Sequence, residues 1–368
     1  MNKFKRLEDQ LRELTAIPSP SGFEEPMIKY MYEKIKAYGI KAEVDSLGNV
    51  ITSFGAPSKG PSIMIIAHMD EVGMIIRKIS SNGFLRVEKI GGIPEKILLG
   101  CKVLVRAEKG NFIEGIIGSK SHHLTAVSER YKVIPIEELY IDIGCSSSQE
   151  VLSLGVKVGS SITYARDFIQ NGPIIFSPAI DNRGGCLVLL FLMERLLNIE
   201  YSPKIYLVGS VQEEYNLRGV LPAARAINPD FAIAIDVAVS CDTPDLDKTD
   251  VKLGGGPVIN TYSFHGRGTL GGVVPNPKLL NLFEKASNKA DIQIQRNVFY
   301  GGLTDASFLQ LENKGIPSIE VGFPARYTHT PLESCHLRDI EQLIELLEVF
   351  ILNLPKDVDL SRIYNINY

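Results

Sequence analysis

KIYLVGSVQEEYNLRG, residues 204–219, is followed closely by FAIAIDVAV at 231–239. The apolar, β-branched runs at 205–211 and 231–239 have the composition of strands buried on both faces. Each run contains or leads into acids, so Glu213, Glu214 and Asp236 are expected where strands give way to loops. In an open α/β sheet that is the ligand-binding rim, beyond the carboxyl ends of the strands. Three carboxylates gathered there would repel one another and raise their own pKa values unless a cation holds them. A metal ion is the obvious candidate.

The 368 residues are 45% hydrophobic and 22% charged, which suits a globular chain with one large core and a second, smaller one. A formal net charge of -4 leaves no electrostatic footprint for nucleic acid or for an anionic membrane surface. No apolar run approaches the ~20 residues of a membrane span. The first twenty-odd residues lack the apolar core of a signal peptide. Cys101, Cys145, Cys186, Cys241 and Cys335 are odd in number and scattered without C-x-x-C spacing, which argues against both a disulfide framework and a zinc ribbon. The expected compartment is the reducing cytoplasm.

Leu7, Leu11 and Leu14 mark an amphipathic helix over 4–15, stopped by the run Pro18-Ser19-Pro20-Ser21-Gly22. A second helix is expected over about 24–38, then short strands at 42–45 and 49–54. The composition of 62–67 is that of a buried strand ending in His68-Met69-Asp70-Glu71. Between about 72 and 165 the pattern changes to short alternating runs (83–87, 102–106, 112–117, 162–164) separated by glycine-containing turns, the signature of a small all-β barrel or sandwich. Flanked by α/β pattern on both sides, it reads as an insertion. Beyond it come a helix over about 183–197 opened by Asp181, the two acid-bearing strands, a glycine-rich stretch at 253–258, a helix at 277–290, a loop at 301–306, a strand at 318–321 and a last helix at 337–352.

His68, Asp181, Glu214, Asp236 and His329 fall after buried strands or at a helix entrance. Imidazole and carboxylate are the ligands that zinc or cobalt accepts without cysteine. Two ions account for the number of ligands. Asp181 would bridge, with His68 and Asp236 on one ion and Glu214 and His329 on the other. Three carboxylates and one hydroxide would then offset four positive charges. Adjacent side chains diverge, so Glu213 and Glu214 are not expected to share an ion. Glu213 is left to act as a general base and then to protonate a leaving amine. Asp70, two residues beyond His68, is placed to hold the second imidazole nitrogen. Any one of these residues alone is more often a loop charge or a helix cap; the ordered conjunction carries the reading. His265 and His336 show no partner pattern and are expected to play no part.

The segments His68-Met69-Asp70-Glu71-Val72-Gly73, Ser177-Pro178-Ala179-Ile180-Asp181-Asn182-Arg183, Gln212-Glu213-Glu214, Ala234-Ile235-Asp236-Val237 and Arg326-Tyr327-Thr328-His329-Thr330-Pro331 resemble the signatures of the tetrahedral aminopeptidases. That family of co-catalytic metallopeptidases includes glutamyl and deblocking aminopeptidases. Asp142-Ile143-Gly144 and Thr304-Asp305-Ala306 extend the resemblance over nearly the whole chain. It implies a mixed-sheet α/β catalytic domain (1–71 plus 166–368) and an inserted β-barrel dimerisation domain (72–165). It further implies two zinc or cobalt ions per subunit, peptide substrates, and dimers that build a twelve-subunit tetrahedral shell. By motif match His68, Asp181, Glu214, Asp236 and His329 take the ligand positions, Glu213 the base position and Asp70 the position behind His68. A cis peptide between Asp181 and Asn182 is also implied.

Two segments depart from the family pattern. Ser121-His122 stand where a Pro-Pro pair is expected before His123, and Leu303 replaces the third glycine of a Gly-Gly-Gly-Thr-Asp run. A preference for acidic substrates would require a cation in the first pocket, for which Arg267, Arg296 and Arg326 are the candidates. The competing readings are a deacylase or carboxypeptidase using the same metal site, and a non-catalytic assembly or peptide-binding protein. An endoglucanase is disfavoured, because glycosidases ordinarily use a carboxylate pair without metals.

Overall fold

A computed structural model describes residues 4–55, 60–197, 199–266 and 270–362. Four strands, Lys204–Ser210, Ser62–His68, Phe231–Val239 and Ser318–Arg326, lie side by side and parallel, so their carboxyl ends form one rim. Val50–Phe54 and Ala42–Val44 extend the sheet antiparallel on one side, and Glu333–His336, Ile174–Ser177 and Ile169–Asn171 extend it on the other. The strands Val258–Phe264, Gly272–Val273 and Gln295–Tyr300 branch from Ser318–Arg326, giving a twelve-stranded mixed sheet.

The interior of the strand Ser62–His68 is apolar on both faces: Ile63, Met64, Ile65 and Ile66 are all fully buried. Alternate residues pack into different clusters, as a strand's twofold side-chain alternation requires. Ile63 and Ile65 meet the helices Lys5–Thr15, Glu25–Ala37, Ile180–Leu196, Pro277–Ala290 and Leu337–Leu352; Met64 and Ile66 meet Val220–Ile227 and the short turn Ala306–Leu309. The helices at 4–15, 24–38, 277–290 and 337–352 stand within a residue or so of their expected places. The expected strand at 318–321 continues to Arg326, because it pairs with residues 232–239 of the neighbouring strand as far as Ala325 and then with Ser334.

Between Gly73 and Tyr164 the chain forms a closed six-stranded barrel, Gly73–Ile79, Leu85–Ile90, Ile141–Asp142, Phe112–Ile117, Lys102–Arg106 and Ser161–Tyr164 in order around it. It encloses its own apolar core of Met74, Ile76, Leu85, Val103, Ile141 and Ile162 among others. Closure pairs every strand on both sides, which is how so small a sheet avoids open edges. Among the described residues no helix is long and apolar enough to cross a membrane.

Candidate metal centre

The rim of the parallel strands gathers the acids and histidines singled out above. His68 is the last residue of its strand, Glu213 and Glu214 follow the strand ending at Ser210, and His329 lies just past Arg326. Asp236 lies inside its strand rather than at the end, opposite Gly322 in the neighbouring strand. A Cβ at Gly322 would come within 1.8 Å of the Asp236 carbonyl, so that register requires glycine. Asp181 sits in the first turn of Ile180–Leu196 with non-helical φ and ψ, and the Asp181–Asn182 peptide is cis.

The two oxygens of Asp181 face different imidazoles. Oδ1 is 3.1 Å from His68 Nε2, and Oδ2 is 3.5 Å from His329 Nε2. Each imidazole has a second acid beside it: Asp236 Oδ1 at 3.8 Å from His68 Nε2, and Glu214 Oε1 at 3.2 Å from His329 Nε2. Glu213 Oε2 lies 4.0 Å from His68 Nε2. His68 with Asp181 and Glu214, and His68 with Glu213 and Asp236, are close enough to converge on a metal ion. Distance alone thus places Glu213 within ligand reach as well.

Asp70 has a wider task than the second nitrogen of His68. That nitrogen, Nδ1, lies 3.2 Å from the Asp70 backbone carbonyl and 3.5 Å from its Oδ1. The carboxylate accepts the backbone N–H groups of Glu213 and Glu214, both at 3.0 Å, and the Ser21 hydroxyl. Glu333, which the sequence reading missed, accepts the N–H of Asp181 at 2.8 Å and of His329 at 2.6 Å. Two contacts come from the barrel segment: His329 Nδ1 donates to the Gly92 carbonyl at 2.9 Å, and the Tyr164 hydroxyl donates to the His329 carbonyl at 3.3 Å. Ala179, Gln212, Asn216, Leu217, Tyr327 and His329 all adopt left-handed backbone conformations, which cost non-glycine residues energy and persist only where surroundings hold them. Glu24, accepting the Gln212 N–H, and Glu333, accepting that of His329, supply such holds.

Burial and mutual repulsion set the electrostatics. Burial, then the Asp181 charge, pushes Asp236 up to about 7. Burial raises Glu213 well above the carboxylate range, helped by Asp236, Glu214 and Asp305. Burial also raises Glu214. Burial works against the charged forms of His68 and His329, yet the surrounding carboxylates carry both imidazoles above their ordinary value; burial likewise opposes ionisation of Asp181, but the two histidines hold it low. A cation in this cluster would relieve that repulsion. Imidazole and carboxylate donors with no thiol among them are a set that a divalent cation accepts.

A cavity of about 710 Å³ opens onto this cluster, lined also by Leu217, Val237, Val239, His265, Phe299, Leu303 and Thr304. His265, expected to play no part, is one of its walls. His336 instead caps the last helix, its Nδ1 accepting the Arg338 N–H at 3.1 Å. Of the arginines proposed for an acidic pocket, Arg326 is held by both oxygens of Asp242 at 2.8 and 2.6 Å, and Arg296 by Glu284. Neither lines the cavity. Arg267 lies outside the described residues.

The family model for M42 glutamyl aminopeptidases matches residues 48–346. The chain belongs to that family. It is an aminopeptidase by that membership, and its rim carries the histidine and carboxylate cluster a metal-dependent peptidase requires. It is 31% identical to the glutamyl aminopeptidase of Lactococcus lactis subsp. cremoris over 352 residues, covering 95% of this chain and 96% of that one. Among solved structures it resembles an aminopeptidase from the archaeon Desulfurococcus kamchatkensis, with 36% identity, a TM-score of 0.88 and 95% of each chain covered. It also resembles the Pyrococcus horikoshii TET1 peptidase, which can assemble into a tetrahedron or a large octahedral shell; there the identity is 34%, the TM-score 0.84, and the coverage 94% of this chain and 99% of that one. The expected tetrahedral aminopeptidase kinship and the α/β fold class therefore hold.

Proposed function

We propose that the chain removes N-terminal residues from peptides with two divalent ions, zinc or cobalt, held by His68, Asp181, Glu214, Asp236 and His329. The observation that carries this is the division of the Asp181 carboxylate between the two imidazoles, each with its own further acid. Such ions, when bound, polarise a substrate carbonyl and acidify water.

The protein's own residues do the rest. Glu213 is the acid left over once two imidazoles and three carboxylates are assigned as ligands. Facing His68 Nε2 and Asp236 across the same pocket, it takes the proton from the attacking water and passes it to the departing amine. Asp70 fixes the Glu213–Glu214 turn through two backbone N–H bonds, which keeps base and ligand pointing in different directions. Glu333 ties Asp181 to His329, so the bridging acid and its second imidazole move together.

In this reading residues 1–71 with 166–368 form the catalytic domain and 72–165 the dimerisation domain. Dimers then assemble into a tetrahedral dodecamer in the cytoplasm, consistent with the shell-forming Pyrococcus relative. The test is hydrolysis of aminoacyl-p-nitroanilides and their N-acetylated counterparts, before and after a chelator and with zinc or cobalt restored. Cleavage confined to free-amine substrates, abolished by the chelator and recovered with metal, is the expected result. Release of p-nitroaniline from the acetylated set as well would refute the free-amine requirement, and no release with two ions bound would remove the aminopeptidase reading in favour of a deacylase.

A further inference from the structure

We infer that the enzyme selects substrates whose N-terminal side chain is uncharged and largely apolar, with Leu303 as a specificity-determining residue. This rests on the aminopeptidase reading above. The cavity that opens onto the metal-binding cluster has apolar walls of Leu217, Val237, Val239, Phe299 and Leu303, and among the described residues no lysine or arginine lines it. A glutamate or lysine side chain entering such a wall would give up hydration without meeting a counter-charge. A hydrocarbon side chain gains from the same burial.

The loop after Gln295–Tyr300 is built to present this surface. A Cβ on Gly302 would lie 2.2 Å from the Phe299 ring, and one on Gly271 would lie 2.3 Å from a Leu303 methyl. The two glycines thus let the ring and the leucine pack down onto backbone, which holds both side chains at the cavity wall. His265 adds one polar feature: its Nδ1 is buried with no hydrogen-bond partner among the described residues. An unpaired ring nitrogen there can hydrogen-bond the side-chain amide of glutamine.

The experiment is kcat/KM of the purified, metal-loaded full chain on the p-nitroanilides of Leu, Met, Phe, Gln, Glu and Lys. The leaving group is constant, so the panel varies only the side chain that enters this cavity. Leu, Met and Phe should exceed Glu and Lys by roughly tenfold or more, the scale on which apolar pockets discriminate. Leu303→Lys should shift the Leu:Glu ratio toward Glu by roughly tenfold with metal content unchanged, and Leu303→Ala should lower the rate on Leu relative to Phe. Arg267→Gln should leave the Leu:Glu ratio where it was. A wild-type preference for Glu or Lys, or a ratio that depends on Arg267, overturns the inference. Ratios unmoved in both Leu303 variants overturn the role of that residue. In each of these cases free-amine substrates are still cleaved and the aminopeptidase reading stands; loss of all cleavage with metals bound would strike that reading instead.

Discussion

Glu71→Gln should be among the most destabilising conservative substitutions in the chain. Glu71 is buried where the chain leaves the catalytic sheet for the barrel, and its carboxylate accepts from both terminal nitrogens of Arg166, from Arg183 Nη2 at 3.4 Å, from the Ser19 N–H at 2.7 Å and from the Thr163 hydroxyl at 3.1 Å. Arg183 is wholly buried and the Arg166 side chain is only 11% exposed. Glutamine keeps one acceptor oxygen, turns an N–H₂ toward a guanidinium and leaves two positive charges without the one carboxylate that pairs with both among the described residues. Removing one partner from a buried charge cluster costs about 3–5 kcal/mol, a large part of the 5–15 kcal/mol that holds a typical domain folded. Burial opposes ionisation of Glu71, but Arg166 and Arg183 outweigh it and hold its pKa below the usual value. The stabilisation is therefore full above the unfolded-state pKa and is lost as pH falls through the folded one, so the penalty should be complete at pH 7 and shrink in acid. The assay is urea unfolding followed by circular dichroism and tyrosine fluorescence, since the chain has 14 tyrosines and no tryptophan. Arg166→Leu and the double variant close a cycle. A Glu71→Gln loss below about 1 kcal/mol, or single effects that add within about 0.5 kcal/mol, would refute the reasoning.

Glu213→Gln should keep two metal ions per chain by elemental analysis while losing about 10²- to 10⁴-fold in kcat, the usual contribution of a general base; wild-type activity would remove Glu213 from that role. If Asp181 bridges two ions as proposed, Asp181→Ala should lose both together, and a variant still holding two would show that Asp181 does not bridge. Glu24→Gln tests the site's outer support through pH. Burial and then the Asp70 charge push Glu24 from 4.5 up to about 7, while its Oε1 accepts the N–H groups of Gly22 and Gln212. A raised carboxyl pKa means stability is greatest where the group is protonated and falls as pH rises from about 4.5 to about 7. The glutamine variant retains the acceptor oxygen, so it should gain on the wild type across that window, by at most about 3 kcal/mol above it. Thermal unfolding midpoints that run parallel from pH 4 to 8 would contradict this.

What could be read from the sequence was whatever depends on local order. Strand-terminal residues such as His68, and the periodic helices at both ends of the chain, announce themselves through composition and spacing. Asp236 was legible as an acid in an apolar run, but its position inside the strand depends on Gly322 of a strand more than eighty residues later. Glu333 lies in a short strand without a pattern of its own, and its role exists only because two N–H groups from Asp181 and His329 converge on it. The Gly92 contact could not have been read from side chains, since the acceptor is a backbone carbonyl. The parallel pairing of Val258–Phe264 with Gln295–Tyr300 is likewise non-local, and with it went the role of His265 as a cavity wall.

These non-local contacts change what the inserted barrel is. An insertion that served only to join subunits could be tethered loosely, yet this one is clamped at both ends by Glu71 and Arg166. Arg183, two residues beyond Asp181, bonds the same Glu71 and reaches the carbonyls of Leu14, Ile17 and Met69. One buried charge cluster thus locks the N-terminal loop, the start of the Asp181 helix and the root of the barrel into a single body. From that fixed root the barrel segment presents the Gly92 carbonyl and the Tyr164 hydroxyl to His329. His329 sits in a left-handed backbone conformation, and its side chain is 30% exposed, so it has less packing to orient it than His68 has. A catalytic body without residues 72–165 would present this imidazole with neither the carbonyl that sets its tautomer nor the hydroxyl behind its backbone. The barrel segment is in that sense part of the site's wall.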